Sequence, residues 1–176
     1  MYDRYVSSAQ FLASVWRYPD DKYDRWWASY SKAAWANIST NATVAPNAEL
    51  EDPSLVIQTA ATSLTTKEPL VMNWTNDNMS ATYCVILHFA EIQLGNISKT
   101  ARREFNIFGK GSIMSSQPYT PALLSTQFID FNYTNALTYN ISLEATLSST
   151  LPPLLNAIEL YTILPVTATT YAQDGN

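Results

Sequence analysis

Between Tyr139 and Ala145 the apolar side chains take every second position, in the order Tyr139-Asn140-Ile141-Ser142-Leu143-Glu144-Ala145. Successive side chains of a strand point to opposite faces, so this pattern specifies a strand with one dry face and one wet face. Arg103 to Phe108 repeats it with Phe105 and Ile107 inward, followed by a turn around Gly109 and Gly111. The run from Tyr83 to Ala90 is apolar on both faces, Tyr83, Val85, Leu87 and Phe89 against Cys84, Ile86 and His88, which predicts a central strand covered on both sides. Pro152-Pro153 cannot sit inside a sheet and must precede the strand Leu155 to Leu164, which Pro165 stops. Pro, Asn, Asp and Ser punctuate such runs throughout, an all-β pattern. Pro19-Asp20-Asp21 can open a short helical turn carrying Asp24 and Arg25, because aspartate accepts bonds from free amides there.

A chain of 176 residues suits one domain with a sizeable core. Its formal net charge is -5 and its ten Lys and Arg form no cluster beyond Arg102-Arg103, which argues against nucleic acid or an anionic membrane as partner. No apolar run approaches the roughly 18 to 20 residues that span a bilayer. The one cysteine, Cys84, cannot close a disulfide within the chain and reads as a small buried hydrophobe.

Seven Asn-x-Ser/Thr triplets, at Asn37, Asn41, Asn73, Asn78, Asn96, Asn132 and Asn140, lack proline in the middle position. Chance in a chain of this composition would supply about two or three. A glycan is bulky and solvated, so each used asparagine must face water, and the set points to the secretory pathway. The bland alternative is a chain merely rich in Asn, Ser and Thr. Met1 to Arg17 holds Asp3, Arg4 and Gln10 and lacks the apolar core of a signal peptide, so the expectation is a part of a longer ectodomain in preference to a truncated product.

Three blocks, Arg17 to Trp26, His88-Phe89-Ala90-Glu91-Ile92-Gln93 and Leu151 to Tyr161, resemble in this order the malectin-like ectodomain of plant leucine-rich-repeat receptor kinases. Val56 to Thr62 and Arg103 to Ile107 fit the same pattern. The resemblance implies a malectin-like jelly-roll β-sandwich with short helical turns, corresponding to the second, membrane-proximal module of a tandem pair. It divides the chain into a segment or linker over 1–14, the module over 15–165 and a linker over 166–176. It gives Tyr18, Asp21, Tyr23, Asp24, Arg25, His88, Glu91, Asn156 and Glu159 structural motif positions. Any kinase activity would belong to another part of a parent receptor at the extracellular face of the plasma membrane.

Direct chemistry is sparse. His88 is the only histidine and sits mid-strand, where a hydrogen-bonded structural role outweighs catalysis, and Glu91 at i+3 would point to the other face, away from a shared metal. The aspartates near Arg17 and Arg25 could bind calcium, but their spacing is not that of an EF-hand loop, and they serve equally as ion-paired or solvated turn residues. A glycosidase would need two carboxylates, Glu91 and Glu159 being the candidates, facing each other at roughly 5 to 9 Å. Sugar binding needs flat rings and a few polar groups. The aromatics from Trp16 to Trp35 read as core or inter-module packing, and Trp74 lies inside the Asn73 glycosylation triplet with Asp77 and Asn78 close by, where a glycan would crowd a ligand. Tyr119 with Gln117 is the freer candidate. No catalytic residue, metal or cofactor is assigned. The expected function is recognition of an extracellular peptide, co-receptor or other protein, with a lectin for cell-wall or glucose-capped oligosaccharides as the alternative.

Overall fold

A computed structural model of the chain describes residues 2–4, 21–75, 81–93, 100–134 and 137–163. Three antiparallel sheets and one short helix make up the described fold. The first sheet orders β1 (Tyr2–Arg4), β11 (Ala157–Ile163), β5 (Thr82–Phe89) and β8 (Gln127–Tyr133) side by side. The second orders β4 (Leu70–Thr75), β9 (Thr138–Ala145), β6 (Phe105–Gly109) and β7 (Ser112–Ile113). A smaller third sheet runs β10 (Leu154–Leu155), β3 (Thr59–Ser63), β2 (Trp35–Ser39), and α1 covers Ser54–Ile57.

The central position of the Tyr83 to Ala90 run follows from its composition, since β5 lies between β11 and β8. Leu87 stands opposite Ile158 on one side and Ile129 on the other, and Val85 opposite Leu160 and Phe131. Tyr83, Val85, Leu87 and Phe89 turn inward, where they meet Leu70, Met72, Phe105, Ile107, Tyr139, Ile141 and Leu143 of the second sheet. Each fully buried side chain of this kind contributes about 1.5–3 kcal/mol over its exposed state. The alternation in β9 holds as expected, with Tyr139, Ile141 and Leu143 buried and Asn140 exposed. Cys84 differs from expectation: it is half-buried, on the outward face of β5. The expected turn is the β6–β7 hairpin, where Lys110 (φ 53) and Gly111 (φ 72) both take the left-handed region that a two-residue primed turn demands. Gly109 serves a different end, since a Cβ there would meet the Tyr133 hydroxyl at 2.7 Å.

The segment expected to lie outside the module contributes to the sheet: Tyr2–Arg4 pairs with Tyr161–Ile163 of β11 and gives the first sheet its edge. The expected 166–176 linker lies outside the described residues, as do Pro19 and Asp20. From Asp21 the chain makes a tight turn in which the Asp24 amide donates to the Asp21 carbonyl at 3.1 Å and Asp24 adopts φ 50. Past Pro152-Pro153 the chain pairs first as β10 in the third sheet and then, beyond Asn156, as β11 in the first.

Candidate functional site

The outward face of the first sheet presents His88 from β5 and Glu159 from β11, since Glu159 stands opposite Ile86 and His88 opposite Ala157. Over them lies the strap 21–27, with Asp52 entering from the segment before α1. Arg25 is the hub. Its Nε donates to Asp21 Oδ2 at 2.8 Å, its Nη1 approaches Glu159 Oε1 at 3.2 Å and Asp52 Oδ1 at 3.4 Å, and its Nη2 donates to the Leu50 carbonyl at 2.8 Å. His88 closes the ring, with Nε2 2.9 Å from Glu159 Oε1 and Nδ1 3.3 Å from Asp52 Oδ1, the second a charge contact more than an aligned hydrogen bond. Asp21 also accepts from Trp27 Nε1 at 2.6 Å and from the Tyr23 amide at 2.8 Å, and Glu159 accepts from the Tyr161 hydroxyl. The Trp27 ring meets His88 edge-on at 5.8 Å between centroids and lies under the guanidinium of Arg25 at 4.9 Å.

Three carboxylates, one guanidinium and one imidazole therefore share one buried volume. Burial pushes His88 toward its neutral form, but the contacts and charges of Asp52 and Glu159 outweigh it and hold the imidazole above its ordinary value. Burial likewise opposes ionisation of Glu159 and of Asp21. His88, Tyr161 and Arg25 reverse this for Glu159, and Trp27, Tyr23 and Arg25 for Asp21, so both carboxyls lie below their ordinary values. Asp52, His88 and Glu159 place ligand atoms within 4.8 Å of one another, a spacing that a metal ion could use. Arg25 already contacts both carboxylates from inside the group, and both His88 nitrogens face them, so the cluster works as an internal ion network.

Glu91, three residues past His88 and just beyond the end of β5, belongs to a second network. Arg103, 1 % exposed, donates from Nε to Glu91 Oε2 at 2.7 Å and from Nη2 to Gln93 Oε1 at 2.8 Å, and from Nη1 to the Pro152 carbonyl. Glu91 and Glu159 are thus each tied to a different arginine, and neither is presented as one of a facing pair. Asn156 ties the third sheet to the first: its Nδ2 donates to the carbonyls of Ile57 at 2.8 Å and Thr59 at 3.2 Å, and its Oδ1 accepts from the Ala90 amide at 2.7 Å. Tyr23 lies exposed beside Arg25, with the guanidinium 5.5 Å from its ring, and Asp24 is exposed on the turn; Tyr18 lies outside the described residues.

The expected sugar platform does not assemble. The Tyr119 ring packs on Phe89 at 4.7 Å and Phe105 at 5.7 Å, its backbone pairs with Phe105, and burial raises its hydroxyl well above the ordinary value. Trp74 points inward from β4, stacked on Tyr139 at 5.2 Å and edge-on to Tyr133 at 6.0 Å. Tyr83, which meets Tyr139, and Phe89, which meets Tyr119, stand six positions apart on β5, roughly 20 Å in an extended strand, so the two rings occupy opposite ends of the sandwich. Gln117 is exposed and Asp77 lies outside the described residues. Of the glycosylation triplets, Asn37, Asn41, Asn73, Asn132 and Asn140 are all exposed; Asn78 and Asn96 lie outside the described residues. Sequence reasoning missed Asp52 and Arg103. An arginine beginning an apolar strand and a histidine in need of acidic partners were the available signals.

An antiparallel sandwich whose ionisable side chains are paired off inside it, and whose exposed rings Tyr23, Trp26 and Tyr30 stand along one surface strap, defines a β-sandwich binding module. The chain belongs to the malectin-like family, whose domain model matches residues 1–163. It is 34% identical over 165 residues to the probable LRR receptor-like serine/threonine-protein kinase MEE39 of Arabidopsis thaliana, and 34% identical over 151 residues to the related kinase PAM74 of the same plant. These alignments take in 91% and 84% of the chain but only 18% and 17% of the kinases, so the chain corresponds to the ectodomain part of such receptors. Among solved structures, the plant receptor-like kinase FER shares the fold, with a TM-score of 0.70 at 17% identity over 85% of this chain and 47% of that one. A chain of the crystal structure of the plant peptide RALF23 in complex with FER and LLG2 gives a TM-score of 0.67 at 17% identity, over 85% of this chain and 46% of that one. No helix among the described residues is long and apolar enough to cross a membrane.

Proposed function

We propose that this chain is a non-enzymatic recognition module on the extracellular face of a plant receptor kinase, the second and membrane-proximal one of its ectodomain, binding a peptide or protein partner in signalling. The observation that carries the reading is the division of labour between buried and exposed side chains. The residues weighed for catalysis, His88, Glu91 and Glu159, are spent on internal ion pairs, whereas Tyr23, Trp26 and Tyr30 are 49%, 52% and 41% exposed. Tyr and Trp are the residues that protein interfaces favour, since they bury much area at little entropic cost. The solved relative in complex with RALF23 and LLG2 supports partners of that kind. For a lectin, the candidate rings Tyr119 and Trp74 offer little support, since they pack on Phe89 and on Tyr139.

The test presents the secreted, glycosylated chain to an array of plant and glucose-capped oligosaccharides and, in parallel, to synthetic secreted plant peptides including RALF23, with Trp26→Ala as a control. Saturable peptide binding that Trp26→Ala weakens is the expected result. Saturable binding to one sugar class, unaffected by that change, would overturn the reading in favour of the lectin.

A further inference from the structure

Asn73 of β4 and Asn140 of β9 stand directly opposite each other on the outward face of the second sheet, and both head glycosylation triplets. Opposed residues of antiparallel strands have Cβ atoms about 4.5–5.5 Å apart, comparable to the width of one pyranose ring. Two glycans rooted there compete for the same space, and the surroundings of the two asparagines differ. Lys32 reaches across β4 to donate from Nζ to Asn73 Oδ1 at 2.8 Å and to the Val71 carbonyl at 3.0 Å. An ammonium only donates, so the amide oxygen must face Lys32 and Nδ2 must face the other way. Among the described triplet asparagines, Asn73 is the one whose side-chain oxygen is held by a cation.

The same Nζ lies 5.0 Å from the Trp35 ring centroid and 5.9 Å from that of Tyr30, and the two rings meet edge-on at 5.4 Å. The Asn73 amide oxygen is therefore within about 8 Å of the Trp35 ring, inside the reach of the first sugars of an attached chain. Tyr30 is exposed and Trp35 half-buried, an amphipathic ring pair of the kind that accepts the C–H face of a pyranose.

We propose that Asn73 is the occupied member of the Asn73/Asn140 pair and that its own N-glycan packs on the Tyr30–Trp35 rings, making this sheet face a glycan-covered face. The inference rests on the extracellular reading given above. In the transfer step Nδ2 bonds to the anomeric carbon of an oligosaccharide pyrophosphate donor, the bond from that carbon to the pyrophosphate oxygen breaks, and one amide proton is lost. The product keeps Oδ1 as an acceptor and one N–H, so the Lys32 contact survives the modification and orients the first sugar.

The full chain is secreted from plant cells behind an added signal, and site occupancy is read from glycopeptide masses. Asn73 should be filled in most molecules and Asn140 in a minority. Thr75→Ala then removes the triplet while keeping Asn73 and its Lys32 contact. It should lower the Tm of the secreted chain by about 2–4 °C beyond its effect on unglycosylated bacterial protein, and that excess should vanish when Tyr30→Ala, or separately Lys32→Met, is already present. An empty Asn73 beside other filled sites overturns this inference alone, as does an excess that persists in either the Tyr30→Ala or the Lys32→Met background. A secreted chain with every triplet empty removes the glycosylated extracellular reading as well.

Discussion

His88 Nε2 and Glu159 Oε1 meet at 2.9 Å on the outer face of the first sheet, beneath the strap that carries Arg25. The contact joins two neighbouring strands, while Asp52 on the other ring nitrogen joins the sheet to the segment leading into α1. Protonated, the imidazole offsets two carboxylates at once; neutral, it leaves them to Arg25 alone.

Stability should therefore have a maximum in mildly acidic solution. The His88 value is raised in the folded state, so its contribution is fully present below the ordinary histidine value of 6.5 and is lost as pH rises through the folded value. The Glu159 value is lowered, so its contribution is present above the ordinary 4.5 and is lost as pH falls through the folded value. Thermal melts between pH 4 and pH 9 should place the highest Tm between those limits. His88→Gln should abolish the alkaline decline and leave the acid limb. A Tm that is flat from pH 6 to pH 9 in the unsubstituted chain would sink the argument.

Arg25→Met keeps an unbranched side chain of similar reach and removes the only guanidinium among three carboxylates, together with its contact to the Trp27 ring. Breaking a buried ion pair from one side costs about 3–5 kcal/mol, because the remaining charges stay buried without compensation. Urea denaturation at neutral pH should show a lower midpoint corresponding to a free-energy loss of that size. The deficit should shrink in acid as Glu159 and Asp21 take up protons, which a loss of packing alone would not do.

What the sequence disclosed followed from period and composition. Alternation over Tyr139 to Ala145 placed Ile141 and Leu143 inside and Asn140 outside, because a strand's side-chain period is set by its backbone. The Arg25 ring was legible only as a local turn of charges, since its partner Glu159 lies 134 residues away and nothing local announces a long-range ion pair. Tyr119 looked free for the same reason: Pro118 and Pro121 flank it in a loop, and the Phe89 and Phe105 rings that cover it come from strands elsewhere in the chain. The pairing of Asn73 with Asn140 likewise needed the β4–β9 register.

Asn156→Asp exchanges the Nδ2 donor for an oxygen that would confront the carbonyls of Ile57 and Thr59, and leaves the bond from the Ala90 amide in place. Net loss of two such bonds with unsatisfied acceptors costs about 2–4 kcal/mol. Hydrogen exchange should rise first in β3, β10 and α1, which this side chain fastens to the first sheet, while the amides of β5 stay protected. Uniform loss of protection would show that the third sheet does not open separately.

Tyr119 gives the sharpest separation between packing and ligand binding. Its ring fills the space beside Phe89 and Phe105, while its hydroxyl makes one contact, to Gln127 Oε1 at 3.2 Å. Tyr119→Phe should therefore change stability by less than about 1 kcal/mol, whereas Tyr119→Ala should cost toward the lower end of the roughly 3–5 kcal/mol typical of truncating a large buried ring. Denaturant midpoints of the three proteins measure both steps. A Tyr119→Ala chain as stable as its parent would return the ring to the surface and with it the sugar platform; the expected large loss means that reduced ligand binding by this variant reports on the fold.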